Sequence, residues 1–82
     1  MQNRLKELRH KENLTLKEVS SQLEQNNLKI SPDALAKYER GDREPKLETW
    51  QKLADFFNVP VDYLLGISKD RSTLTIDDLN TE

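Results

Sequence analysis

The chain has 82 residues, of which 34% are hydrophobic and 34% charged, and these values predict one small domain with a thin core and a polar surface. It contains no cysteine, which excludes disulfide bridges and thiolate metal sites and gives no reason to expect an oxidising compartment. No apolar run approaches the roughly 20 residues that cross a bilayer, and the N-terminus lacks the apolar stretch of a secretory signal, so we expect a soluble, cytoplasmic protein.

The net charge of −2 counts against a nucleic-acid partner, because DNA-binding domains usually carry a basic excess that neutralises phosphates. The charge is unevenly distributed along the chain. Residues 1–17 contain five Lys and Arg against two Glu, whereas residues 47–82 contain three Lys and Arg against seven acids. The basic N-terminal end therefore weakens the objection to a DNA partner.

The first predicted element is an amphipathic helix from Asn3 to about Glu12. Leu5 and Leu8 lie one helical turn apart among charged residues, which is the pattern of a helix with one apolar face. Asn13 is a plausible stop for this helix.

The second helix begins at Leu16. Thr15 and Glu18 match a capping box, in which each side chain satisfies a free backbone N–H at the start of a helix. Leu16, Val19 and Leu23 then share one face of that helix.

A polar segment, Glu24–Lys29, is expected to contain the end of the second helix and a connection. Ser31 and the proline that follows it match an N-cap and a first helical position, and Asp33 favours the positive end of a helix. Gly41 supplies a C-terminal stop. These signals predict a short third helix from Pro32 to about Arg40.

The fourth helix is indicated by apolar residues that recur at helical spacing and form one strongly apolar face: Leu47, Trp50, Leu53, Ala54 and Phe57. Four aromatic residues are assigned to core packing and not to base stacking: Tyr38, Trp50, Phe56 and Phe57. Val59 and Pro60 interrupt the pattern. Val61, Leu64 and Leu65 then predict a final short helix that Gly66 closes.

Residues 67–82 are polar apart from a few apolar positions, so we divide the chain into a domain at 1–66 and a C-terminal tail at 67–82. The tail is either flexible or a dimerisation segment. In the second case Leu74–Ile76 would pair as a strand across a two-fold axis, or Ile76 and Leu79 would line a helical turn.

Beyond this layout, a longer string of residues resembles the Cro and phage-repressor family of helix-turn-helix regulators, also called the XRE family. The resemblance covers residues 4–66 in order and with near-family spacing. It rests on the following segments: Arg4–Arg9, Leu14–Thr15, Ile30–Ser31, Lys37–Gly41, Arg43–Pro45, Leu53–Phe57 and Val61–Gly66.

The resemblance implies an all-α, compact five-helix domain of the lambda-repressor type that binds double-stranded DNA. The third helix would enter the major groove, commonly in a homodimer on a palindromic operator with half-sites roughly 34 to 36 Å apart. The implied function is sequence-specific transcriptional regulation, and repression in particular.

The resemblance also assigns roles to matching positions. Ser31 would cap the reading helix and contact a phosphate, and Pro32, Asp33 and Lys37 would face bases. Lys37 can donate to guanine, Asp33 can accept from the cytosine amine, and Pro32 offers only apolar contact. Asp33 can equally be an acid that stabilises the helix N-terminus and has no DNA role.

Further phosphate contacts are expected from Asn13 and Lys17, near the start of the second helix, and from Arg40 and Arg43, which cluster after the reading helix. Lys46 belongs to the same cluster after the third helix, but it is better explained as a solvated surface charge. Arg9 and Glu39 match a pair that the family uses as a partly buried salt bridge between the first and third helices.

Two features, one residue and one segment, depart from the family pattern. Leu16 stands where the family often has a glutamine that contacts a phosphate, so that contact is lost. Glu24–Lys29 occupies six positions where the family usually needs about one. Either the second helix gains a turn, or residues 26–29 loop outward with Leu28 tucked back; in both cases we expect Ile30 to anchor the third helix.

An enzyme fits the sequence poorly, because catalysis needs converging polar groups and the chain has one His, no Cys and two Gly. His10 is assigned to the surface, and no metal or cofactor is expected. The alternative to DNA binding is a protein-interaction module of the same fold, such as an antitoxin or a regulator subunit. The net charge, Asp33 and Leu16 keep that alternative open.

Overall fold

The computed structural model of the protein describes residues 3–67. Within that range the chain forms five α-helices, which confirms the predicted all-α architecture: α1 (Leu5–Lys11), α2 (Leu16–Gln25), α3 (Pro32–Arg40), α4 (Leu47–Phe57) and α5 (Val61–Leu64). Of the predicted tail at 67–82, only Ile67 is described; residues 68–82, with the candidate dimerisation residues, lie outside the described residues.

All five helices contribute side chains to one hydrophobic core, and two residues from connections, Ile30 and Val59, complete it. None of the buried residues in the described range is polar or charged. The core residues are Leu5, Leu8, Val19, Leu23, Ile30, Leu35, Trp50, Leu53, Ala54, Phe57, Val59, Tyr63 and Leu64. Burial of apolar surface is therefore the main source of stability for this small domain.

The start of α1 is fixed by side chains that precede it. The Asn3 carboxamide oxygen accepts a hydrogen bond of 3.0 Å from the Leu5 backbone N–H. Asn3 therefore lies before the helix that was expected to include it, and Arg4 occupies the N-cap position. The Arg4 backbone N–H donates to the Leu64 carbonyl at 2.9 Å, and its guanidinium donates to the Tyr63 carbonyl. These contacts join the beginning of the domain to α5.

The capping box of α2 is confirmed. Glu18 N–H donates to the Thr15 hydroxyl at 3.1 Å, and Thr15 N–H donates to the Glu18 carboxylate at 2.8 Å. Two of the N–H groups that a helix start leaves without partners are thereby satisfied.

The lengthened connection combines both alternatives that the sequence left open. Helix α2 continues to Gln25, and the chain then reverses at Asn27, whose φ of 66° lies in the left-handed region. Leu28 is tucked back against the core, with its N–H bonded to the Leu23 carbonyl at 2.9 Å. Ile30 is buried as expected, so the extra residues do not interrupt the packing that leads into α3.

Helix α4 buries Trp50, Leu53, Ala54 and Phe57 as predicted, but Leu47 is 59% exposed. The assignment of Leu47 to the apolar face was therefore wrong. Leu47 is the first residue of α4, and the buried residues of that helix begin about one turn later, at Trp50. Its helical spacing was correct, but the helix has not yet reached the core at that point.

Candidate nucleic-acid interface

Helix α3 is attached to the domain by one side and exposed on the other. Leu35 is its only fully buried residue. Since successive helical residues turn by about 100°, Asp33, Lys37 and Arg40 share the side opposite Leu35. Ala36, the residue after Leu35, lies at the edge of this side and is half-buried. This side, which we call the α3 outer face, consists of Asp33, Ala36, Lys37 and Arg40.

The N-terminal end of α3 is held by two serine hydroxyls. Ser31 is the N-cap, and its hydroxyl accepts from the Ala34 N–H at 3.1 Å. The Ser20 hydroxyl, from α2, donates to the Ile30 carbonyl at 2.6 Å. The cap was predicted, whereas the Ser20 contact was not, because no local pattern links residues ten positions apart across a connection.

The C-terminal end of α3 is held by α1 and the residues before it. The Asn3 carboxamide donates to the Tyr38 carbonyl at 2.9 Å. The structure also brings Arg9 and Glu39 together: Nε and Nη2 of Arg9 lie 2.7 Å and 3.1 Å from the two carboxylate oxygens. With Ser20 at the other end, both ends of α3 are fixed by side chains from neighbouring elements.

All three nitrogens of the Arg9 guanidinium donate hydrogen bonds. Besides its two bonds to Glu39, Nη1 donates to the Leu14 carbonyl at 3.0 Å, so one side chain joins α1, the α1–α2 connection and α3. The side chains of Arg9 and Glu39 are 13% and 8% exposed. Hydrogen bonding to Glu39 raises the pKa of Arg9 above its ordinary value, against the opposing effect of burial.

Two cations near the α3 outer face lie against carboxylates. The Lys37 ammonium is 3.2 Å from an Asp33 carboxylate oxygen, one helical turn away. Arg40 Nε is 2.8 Å from an Asp42 carboxylate oxygen. The structure therefore places the predicted base-reading residues Asp33 and Lys37 in contact with each other, and it adds Asp42, which the sequence reasoning did not single out.

The remaining predicted contact residues are all on the surface. Pro32 is exposed at the first position of α3, and Ser31 precedes it. Asn13, exposed, has a left-handed φ of 57° in the α1–α2 connection. Lys17 is exposed in the first turn of α2. These residues flank the starts of α2 and α3, the two helices that pack against each other.

Arg43 and Lys46 follow α3 and are both exposed. The turn that carries Arg43 folds back on the last turn of α3, because the Asp42 N–H donates to the Lys37 carbonyl at 2.9 Å. Gly41 permits this reversal with a left-handed φ of 78°, a conformation that glycine adopts without steric cost. Lys46 forms the N-cap position of α4 without a side-chain capping bond.

Leu16 packs against the core and is partly buried. A glutamine at this position could extend toward a ligand from the start of α2, whereas the leucine contributes to packing. What remains at this helix start is backbone, which can still face an anion through its N–H groups.

Among residues 3–67, no set of three or more His, Cys, Asp or Glu is arranged to hold a metal ion. The same residues include no helix with the length and apolarity needed to cross a membrane. The features of this surface are thus a protruding helix, its charged outer face and the flanking polar residues.

Comparison with known proteins gives a match to a protein-family model described as Helix-turn-helix, over residues 5–64. Three named relatives are similar to the chain. The HTH-type transcriptional regulator ImmR of Bacillus subtilis is 41% identical over 73 residues, which cover 85% of this chain and 54% of the relative. The HTH-type transcriptional regulator AnsR of Bacillus subtilis is 41% identical over 71 residues, covering 87% and 57%.

The third relative is the cryptic phage CTXphi transcriptional repressor RstR of Vibrio cholerae, 33% identical over 67 residues, which cover 82% of this chain and 56% of the relative. The chain thus spans little more than half the length of these relatives. No solved structure gives a significant match.

Proposed function

The chain belongs to the helix-turn-helix family, whose model spans residues 5–64, and from this premise we propose that it binds double-stranded DNA as a transcriptional regulator. In this proposal α3 lies in the major groove with its outer face toward the base edges. The names of the relatives, two transcriptional regulators and a phage repressor, support regulation and favour repression. The family is one of DNA-binding regulators and not of enzymes, and we propose no catalytic role or cofactor.

The observation that carries the proposal is that side chains from neighbouring elements hold both ends of α3. Hydrogen bonds from Ser20 and Asn3 hold its two ends, and the Arg9–Glu39 pair adds a third attachment. A helix fixed at both ends keeps its outer face in one orientation, and a rigid reading surface reduces the ordering cost of binding. A fixed orientation of this kind suits a helix whose side chains must match the spacing of base pairs.

For direct readout we propose Pro32, Asp33 and Lys37. Lys37 would donate to guanine O6 or N7, and Asp33 would accept from a cytosine amine. Pro32, exposed at the start of α3, would contact an apolar group such as a thymine methyl. Ala36, at the edge of the α3 outer face, is small enough to permit close approach to the groove.

For positioning on the duplex we propose phosphate contacts from five residues of the same surface: Asn13, Lys17, Ser31, Arg40 and Arg43. Such contacts set register and orientation and carry no sequence information directly. Lys46 is exposed, and we leave it as a surface charge.

We further propose that the protein binds as a homodimer on a palindromic operator, because a single α3 outer face offers few base contacts. Residues 1–66 would form the DNA-binding domain, and residues 67–82 are the candidate dimerisation segment. As a bacterial-type regulator, like its relatives, it would act in the cytoplasm, where the DNA lies.

A protein-interaction module of the same fold is the second candidate. It is favoured by one observation: the four charges of Asp33, Lys37, Arg40 and Asp42 pair with one another, so this part of the surface is close to neutral. A neutral surface attracts DNA phosphates weakly.

Selection from random duplex DNA with the full chain tests the proposal. We expect enrichment of a palindromic motif. The logarithm of the association constant for that motif should fall linearly with the logarithm of the salt concentration. Absence of any enriched sequence at low salt would contradict DNA readout and favour the interaction module, whose apolar contacts should respond little to salt.

A pair of lysine variants locates the contact surface. Lys37→Ala should weaken binding to the enriched motif by about tenfold, equivalent to about 1.4 kcal/mol. Lys52→Ala removes the same charge from α4, where Lys52 is exposed beside a groove lined by Leu28 and Phe56. Equal losses from the two variants would show that only net charge matters and that α3 is not the reading helix.

A further inference from the structure

The two cations of the α3 outer face, Lys37 and Arg40, are each paired with a carboxylate. Lys37 is paired with Asp33 at 3.2 Å, and Arg40 with Asp42 at 2.8 Å. All four side chains are accessible: those of Lys37 and Asp33 are 40% and 79% exposed, and those of Arg40 and Asp42 are both 58% exposed. The pairs therefore lie at the surface and not in the core, so an incoming ligand can reach each of the four side chains.

Each pair is built by the local backbone. Asp33 and Lys37 are four residues apart on one helix, which places their side chains on the same face. Asp42 follows the glycine that ends α3, and the reversal at Gly41 brings it back beside the last turn, where its N–H bonds the Lys37 carbonyl at 2.9 Å. The two carboxylates thus approach the two cations from opposite ends of the outer face.

We propose that Asp33 and Asp42 are charge-masking residues, which suppress non-specific binding of DNA by occupying the cations of the reading helix. This inference rests on the proposed DNA-binding function. Non-specific affinity comes from Lys and Arg that neutralise phosphates and release counterions. A cation already neutralised by a neighbouring carboxylate gains less from a phosphate, so random DNA is attracted less.

The same pairs can still open on the correct sequence. Ion pairs between exposed side chains are held weakly. On the operator, a base edge that offers acceptors can replace Asp33 at Lys37, and a phosphate held in register by those base contacts can replace Asp42 at Arg40. Specificity is a difference between two affinities. By lowering affinity for every sequence and recovering it only where bases complete the contact, Asp33 and Asp42 would widen that difference.

The test compares substitutions that remove a carboxylate charge without changing side-chain shape, in the full chain. Asp33→Asn and Asp42→Asn should each tighten binding to a random-sequence duplex by about three- to tenfold. They should also steepen the log–log dependence on salt by about 0.9 for each cation that newly reaches a phosphate. The ratio of operator affinity to random affinity should fall in both variants.

Asp55→Asn is the matched control, because Asp55 is exposed on α4 and lines the groove between α2 and α4. It changes the net charge equally and should alter random-duplex affinity by less than about twofold. Gains from Asp33→Asn and Asp42→Asn no larger than that of Asp55→Asn would overturn the proposal, since overall charge would then explain them.

A second arm removes the cation as well. In a Lys37→Gln background, Asp33→Asn should give no gain on random DNA, and in an Arg40→Gln background Asp42→Asn should give none. Persistence of the gain in either background would overturn the masking role of that carboxylate. If Asp33→Asn loses preference at a single base pair and leaves affinity for random DNA unchanged, Asp33 keeps only the base-reading role proposed above, and its masking role is overturned.

These outcomes are distinguishable from failure of the proposed function. If the parent chain and all variants leave both duplexes unbound at low salt, DNA binding itself is refuted, and the inference falls with it. If the parent chain binds an enriched operator, the comparison with Asp55→Asn decides the inference alone.

Discussion

The Ser20 hydroxyl donates a 2.6 Å hydrogen bond to the carbonyl of Ile30, the residue immediately before the N-cap of α3. Ile30 is buried, so its carbonyl has little access to water, and a buried acceptor left without a donor costs free energy. The bond therefore fixes the point at which the lengthened connection enters α3.

We predict that Ser20→Ala lowers the free energy of unfolding by about 1 kcal/mol and weakens operator binding by about fivefold, because the entry of α3 becomes less ordered. Ser21→Ala is the control: Ser21 is exposed in the same helix, and the substitution makes the same change in helix propensity. Urea denaturation and DNA titration measure the two effects. Matching results for both serines would contradict a positioning role for Ser20.

Glu39→Gln should destabilise the domain by about 3 kcal/mol, because it leaves the mostly buried Arg9 guanidinium without its charge partner. The side chain of Glu39 is 8% exposed, whereas Glu12 is an exposed residue at the C-cap of α1. Glu12→Gln removes an equal charge and should be neutral or slightly stabilising, since acids are unfavourable at that helix end. Thermal unfolding compares the two, and equal shifts in Tm would argue against a structural role for the pair.

Thr15→Ala should cost about 1 kcal/mol of stability, because the capping box at the start of α2 loses the oxygen that accepts from the Glu18 N–H. Thr15→Ser keeps that oxygen and should retain most of the stability. For a domain of this size the alanine variant should lower Tm by about 4 to 8 °C. A serine variant as unstable as the alanine variant would show that the threonine methyl, and not the cap, matters.

Leu53→Ala should lower the free energy of unfolding by about 2 to 5 kcal/mol, because Leu53 is completely buried and its truncation leaves a cavity. Leu47→Ala makes the same change in composition at the first residue of α4, where the side chain is exposed. It should change stability by less than about 0.5 kcal/mol. Denaturant midpoints with unchanged slopes provide the comparison; a large effect at Leu47 would indicate that this residue is covered in solution.

The fold was predictable because the helix ends are determined by residues close to them in sequence. The starts of α2 and α3 are marked by capping side chains, from Thr15 with Glu18 and from Ser31, and α3 ends at a left-handed glycine, Gly41. Such signals need no knowledge of the rest of the molecule. The error at Leu47 has the opposite origin: helical spacing identifies a face, but where a helix meets the core depends on how it packs.

The candidate site was only partly predictable. The outer face of α3 follows from its sequence, and the contact between Asp33 and Lys37 could have been found from their four-residue spacing. The attachments of α3 could not. Asn3 reaches Tyr38 over 35 positions of sequence, and Ser20 reaches Ile30 across a connection whose conformation depends on the packing of Leu28.

The burial of α3 has a consequence for how such a protein can change over generations. Leu35 is its only fully buried residue, and its attachments at the two ends are made largely through backbone carbonyls, which every amino acid supplies. If α3 reads DNA as proposed, mutations at Asp33, Ala36, Lys37 or Arg40 would therefore alter recognition at little cost to folding. A lineage carrying this domain would then acquire new target sites by ordinary point mutation, while Leu53 and its core neighbours stay under constraint.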